Sequence, residues 1–206
     1  VYGAMFLGQY EPAMKMAHEL AEVTPEELLR VESPPFATFF ESYFALKVHV
    51  MIRFGRWQEI IEEPLPEDQL LWANLTATLH YAKGVAHAAL GEVQDAETEQ
   101  AKFLTARDVM PEDRRLHNVL CLDQLAVAEA MLEGEIEYRK GNHDFAYRRL
   151  RDAVGMEDNL PYDEPWGWMQ PTRHALGALL LEQGHVNEAE AVYREDLGLG
   201  GELSRA

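Results

Sequence analysis

The chain has one cysteine, Cys121, among 206 residues. No disulfide can form within it, and nothing in the composition demands an oxidising compartment. No apolar run approaches the roughly 18 residues of a membrane-crossing helix, so no membrane span is expected. Basic residues are scarce: 18 Lys and Arg stand against 36 Asp and Glu, a net charge of −18. Such a chain repels phosphate backbones and anionic lipid surfaces, which argues against nucleic-acid and membrane partners and leaves open a basic partner steered to an acidic face. Catalytic signatures are missing too: there is no Gly-x-Ser-x-Gly, no phosphate-cradling glycine loop and no His-Glu-x-x-His. The leucine-rich setting Asn118-Val119-Leu120-Cys121-Leu122 reads as a buried, inert thiol. His80 and His87 are two turns apart on one helix face, about 10 Å by the helical rise, too far to share one ion. No metal site and no cofactor are expected within these residues.

What the chain does have is a recurring set of small residues. Gly84/Gly91/Ala96, Gly134/Gly141/Ala146 and Gly177/Gly184/Ala189 share one spacing, glycine to glycine to alanine. The first glycine of each set lies inside an apolar helical stretch such as His80 to Leu90. There it costs about 1 kcal/mol against alanine and so needs close approach of a neighbouring helix. The second glycine falls where a left-handed helix stop is wanted. The alanine opens the apolar stripe of the next helix, where a small side chain lets two helices cross closely. Weaker copies place Phe44, Met51, Gly55 and Ile60 on the same template, with Val48 at the first glycine. Upstream, Gly8, Ala13, Ala17 and Leu20 fit a second helix, with Val1 at the first-glycine position.

These hairpins resemble the tetratricopeptide repeat (TPR) family. The last unit carries most of the pattern: Leu176-Gly177, Leu180, Gly184, Ala189 and Tyr193. Turn glycines at 8, 55, 91, 141 and 184 are spaced 47, 36, 50 and 43 residues apart. A TPR repeats about every 34 residues, so these units carry insertions. The expected fold is all-α: one domain over residues 1–206, a right-handed α-solenoid of stacked antiparallel helix pairs built from degenerate TPR-like repeats. Four segments are similar to a group of large bacterial TPR-containing proteins of unassigned function. They are Arg53-Phe54-Gly55-Arg56-Trp57, His80-Tyr81-Ala82-Lys83-Gly84, Tyr162-Asp163-Glu164-Pro165 and Ala189 to Leu197. That resemblance implies the C-terminal part of such a protein, with histidine-rich segments lying further upstream.

Along the chain, Thr24-Pro25-Glu26-Glu27 starts a short helix and Ser33-Pro34-Pro35 breaks it. Phe39, Phe40, Tyr43, Phe44 and Met51 form an apolar stripe from Phe36 onward. Pro64-Leu65-Pro66 marks another break, and a long helix is expected from about Leu116 to Lys140. Residues Gly155 to Pro165 read as the most irregular loop. Gly198 to Gly201 closes the last helix, with little for Glu202 to Ala206 to pack against. The start at Val1-Tyr2-Gly3 reads as a cut from a longer protein. The expected location is cytoplasmic, with any targeting signal left to upstream sequence.

Repeat register predicts which residues face a concave groove lined by the first helix of each pair. They are His49 and Arg53; Tyr81, Val85 and Ala89; Met131, Glu135, Tyr138 and Arg139; and His174, Ala178 and Glu182. Aromatic, histidine and charged residues suit an adaptable peptide groove. Asp163, Glu164, Trp166 and Trp168 are placed either as a lip on that groove or as a plug between irregular units. The clamp that some TPR proteins use for acidic chaperone C-termini needs an asparagine after the first glycine. Val85, Glu135 and Ala178 stand there, so that partner is rejected. The first functional expectation is a non-enzymatic protein- or peptide-binding scaffold of unknown partner. The alternative is a helical subdomain of a larger enzyme or metalloprotein whose reactive residues lie upstream. A third is self-association into a homo-oligomer through the solenoid ends.

Overall fold

The computed structural model describes residues 1–199, and these are mostly helical. Gly200 to Ala206, which include part of the expected final stop, lie outside the described residues. The helices are α1 (Tyr2–Phe6), α2 (Tyr10–Val23), α3 (Glu26–Leu29), α4 (Phe36–Phe40), α5 (Leu46–Arg53) and α6 (Trp57–Glu62). They continue with α7 (Ala73–Ala89), α8 (Val93–Asp108), α9 (Cys121–Arg139), α10 (His143–Asp158), α11 (Thr172–Glu182) and α12 (Val186–Asp196).

Five hairpins share one turn. Gly8, Gly55, Gly91, Gly141 and Gly184 all adopt positive φ, between 62° and 83°. At each turn the glycine N–H bonds the carbonyl three residues back, and the next N–H bonds the carbonyl five back. Gly91 N to Ala88 O and Glu92 N to His87 O, at 2.9 and 2.8 Å, are one such pair. This pairing satisfies two orphan carbonyls at the end of the first helix. The residue after the glycine then caps the second helix: Ala96, Ala146 and Ala189 each bond its carbonyl at 3.0 Å. The glycine-to-alanine spacing is therefore the length of a turn plus the first coil of a helix.

The interior glycines are crossing points. A Cβ on Gly84 of α7 would lie 2.8 Å from Leu132 of α9, in the next hairpin. On Gly134 it would lie 2.7 Å from Leu150 of α10, and on Gly177 2.6 Å from the Tyr193 ring of α12. Ala96, Ala146 and Ala189 are buried. The hairpins pack in sequence order, α5 and α6 on α7, α7 and α8 on α9, and α10 on α11.

The extra residues between hairpins gather together. Residues 24–45, 63–72, 109–120 and 159–171 form a layer at the ends of the helices opposite the turn glycines. Within it Arg115–Leu116 and Val119–Leu120 pair as a two-residue antiparallel ladder, β1 and β2, whose tip residue His117 has φ 53°. The long fourth-unit helix accordingly starts at Cys121 rather than Leu116. The apolar stripe also breaks: α4 gives way to a 3-10 turn at Glu41–Ala45, which re-aims the chain and leaves Phe39 and Phe40 each 45% exposed.

Buried charge holds this layer. Glu41 is fully buried and accepts from the N–H groups of Asn74 and Leu75 in the first turn of α7, at 3.2 and 2.8 Å, and from Arg114 at 2.8 Å. Arg114 also reaches the Leu71 carbonyl. Burial pushes the Glu41 carboxyl up, against the pull of these donors. Asp163 receives the Asn118 and Glu164 N–H groups at 3.2 and 3.0 Å and pairs with His117.

Candidate binding face

Four first helices, α5, α7, α9 and α11, converge on one cavity of about 330 Å³. Arg53, Tyr81, Val85, Ala89, Met131, Glu135, Arg139, His174 and Ala178 all line it. Repeat register alone brought these positions together on paper, and the structure brings them together in space. Glu182 stands at the rim, 3.5 Å from Arg139.

Two register positions lie elsewhere. His49 is buried under Trp168, their rings edge to face at 5.0 Å. Burial, with no donor or charge to offset it, lowers its pKa to about 4, so the ring is neutral at physiological pH. Tyr138 is buried behind the face, its hydroxyl donating to the Leu179 carbonyl at 3.4 Å. Neither residue presents itself to an open groove: Trp168 covers His49, while Tyr147 of α10, Leu179 of α11 and Gln183 just after it enclose Tyr138 as ordinary hairpin packing. Tyr81 lines the cavity but is also almost fully buried, packed on Trp168 and Phe103, and burial raises its phenol.

That cover is the segment 159–171. It leaves the helix-end layer at Asp163 and runs onto the first-helix face. Trp166 packs edge-on against Tyr2 and Phe6 of α1, and Trp168 against His49 and Tyr81. Gly167 is fixed between them: its carbonyl accepts from the Gln124 amide, and a Cβ there would run into Val119. Gln170 donates to the His49 carbonyl at 2.8 Å. Trp168 and Asp163 are buried, so this stretch plugs the face rather than projecting as a lip; Glu164 pairs with Tyr162 outside it.

The cavity has two polar ends. Arg139 holds Glu135 at 2.8 Å, and burial raises the Glu135 carboxyl against that pull. At the other end Arg53 lies 2.9 Å from His174 Nδ1, while His174 Nε2 lies 2.9 Å from Asp196. A carboxylate only accepts and a guanidinium only donates, so the ring sits as the neutral Nε2–H tautomer. Phe6 of α1 stacks under the Arg53 guanidinium at 5.2 Å. The second and last hairpins thus meet across 121 residues of sequence.

Besides Ile52, Ala175 and Leu179 of the first helices, register missed Trp57, Trp168, Gln170 and Pro171 in the lining. The last three come from the plug, which no repeat template contains. The tryptophans around Gly167 and the irregular stretch expected from Gly155 to Pro165 are the sequence signals for it, although α10 runs on to Asp158 and the irregular stretch begins only at Asn159.

Away from this face, His87, Glu92 and Asp95 place ligand atoms within 4.8 Å of one another at the α7–α8 turn. His87 bonds Glu92 at 2.7 Å, and Glu137 and Asn142 occupy the matching places of the next turn at 2.6 Å. Both pairs clamp a turn without needing an ion. Cys121 is buried beside Ser42 at 3.0 Å, its thiol pushed up to about 12 by burial. No helix among the described residues is long and apolar enough to cross a membrane. No family model matches the chain, and neither a curated protein nor a solved structure matches it.

Proposed function

We propose that this chain is a non-enzymatic binding module, a degenerate TPR-like right-handed solenoid that holds a protein or peptide partner in the cytoplasm on the face of α5, α7, α9 and α11. The observation that carries this reading is the convergence of four first helices on one cavity. Five hairpins with a common turn support the repeat assignment. In this reading the partner inserts an apolar anchor at the cavity mouth, and Arg53, Arg139, Glu135 and Glu182 set its orientation. Specific binding by such anchors needs a desolvated centre and a polar rim.

A photo-crosslinking residue at position 178, exposed at the mouth, tests this against one at position 197, exposed on the last hairpin. Capture of the same protein from 178 and not from 197 is expected. Capture from 197 alone, or from neither, contradicts the reading. Leu181, Val186 and Leu197 are each more than half exposed on that last hairpin, which favours self-association as a second use of the chain. A concentration-independent monomer by sedimentation would remove that use.

A further inference from the structure

We propose that the cavity on the first-helix face binds a small organic carboxylate with a ring-sized or branched apolar body. This rests on the reading that the face is a binding face. The carboxylate would sit on Arg53 and the body among Trp57, Tyr81, Met131 and Trp168.

Charge points this way first. The chain as a whole carries −18, yet around this cavity the charges balance, two arginines against Glu135 in the lining and Glu182 at the rim. The larger groove between α2 and α6 is acidic, with six glutamates against two lysines and one arginine. An arginine left without a carboxylate inside an acidic molecule attracts an anion that the rest of the surface repels.

The two arginines differ. Arg139 is held by Glu135 and Glu182, at 2.8 and 3.5 Å. Arg53 has no carboxylate within ion-pair distance among the described residues; its partners are the neutral His174 ring and the face of Phe6. Those two contacts fix the guanidinium at the mouth without cancelling its charge. A planar guanidinium with free N–H groups matches a carboxylate in two parallel hydrogen bonds. The apolar walls exclude water and strengthen that pair.

Size limits the rest. At about 330 Å³ the cavity is at the small end of ligand sites, so one ring or branched chain fits and a nucleotide does not. Arg53 and Ala178 are both exposed, which leaves a way in.

Titration calorimetry on the full chain tests this with three probes: phenylacetate, indole-3-acetate and 4-methylpentanoate. Phenylacetamide serves as the uncharged control. At least one acid should bind saturably, and the best acid should bind at least tenfold more weakly to Arg53→Gln. If that acid is phenylacetate, its amide should lose as much. Ala178→Trp, which fills the mouth from the solvent side, should abolish binding with helicity unchanged. Failure of all three acids to bind the folded chain, or undiminished binding to Arg53→Gln, overturns the proposal. If the acids fail while position 178 still crosslinks a protein, the ligand class falls and the binding face stands. If both fail, both fall.

Discussion

The two ends of the helix pairs are built on different principles. At one end five glycine turns repeat the same two hydrogen bonds, and Gly91, Gly141 and Gly184 have nothing within 4 Å of a would-be Cβ. At the other end four irregular segments interlock through Glu41, Arg114, Asp163 and the tryptophans around Gly167. The turn end is local, because each turn is complete within about ten residues. The opposite end is not: Arg114 and Glu41 meet across 73 residues, and His117 and Asp163 across 46. Local, repeated structure sets how each hairpin is made, and non-local, unrepeated structure sets how hairpins sit on one another and what covers their inner face.

The sharpest way to break this contrast is Glu41→Ala. It leaves Arg114 buried without its carboxylate and uncaps α7, so a loss of about 3–5 kcal/mol is expected in chemical denaturation. A loss under about 1 kcal/mol would mean that the interlocked end is ornamental. His49 comes next. Its folded pKa of about 4 lies below the unfolded value of 6.5, so the unfolded chain binds the extra proton. The contribution is fully present above pH 6.5 and disappears as pH falls toward 4, a difference of about 3 kcal/mol. His49→Leu should flatten the stability profile in that window relative to the parent, and an unchanged slope would place the ring in water.

The turn end should respond in smaller, independent steps. Gly91→Ala forces a left-handed alanine at φ 81° and should cost about 1–2 kcal/mol. Gly141→Ala should cost about the same, and the double variant should show nearly the sum, because each turn's two hydrogen bonds are its own and one ion pair, Lys140 to Glu97, joins the neighbourhoods. Smallest of all is a pair within α9 and α10. Gly155→Ala meets open space and should gain about 1 kcal/mol of helix propensity. Gly134→Ala meets Leu150 at 2.7 Å and should lose about 1 kcal/mol net, overpacking outweighing propensity. Equal and favourable effects from both thermal melts would mean that Gly134 is not a crossing point.

Much of the turn end was legible in the sequence, because a left-handed stop wants glycine and a close crossing wants no side chain. Gly84, Gly134 and Gly177 all face bulky neighbours, Leu132, Leu150 and Tyr193, as their helix-interior positions required. The register that followed also placed Arg53, Glu135, Arg139 and His174 around one space. The interlocked end was not legible. Nothing around Glu41 marks it as a buried acid, since its partner Arg114 is far along the chain. Residues 115–120 carry no strand pattern, and their pairing depends on Asp163 holding His117 and Asn118. Repeat register carries no sign of the plug, because it is a single unrepeated segment; its tryptophans suit a lip or a stopper in sequence, and the packing of Trp168 on His49 and Tyr81 makes it a stopper.

The most direct test of the binding face compares two exposed arginines that have no carboxylate in ion-pair reach among the described residues. Arg53 stands at the cavity mouth, and Arg148 lies on α10 over Phe145. In affinity recovery from a native extract, Arg53→Gln should lose the bound partner while Arg148→Gln retains it, with both variants fully helical. Equal recovery by the two would contradict the claim that the first helices form the surface this chain uses.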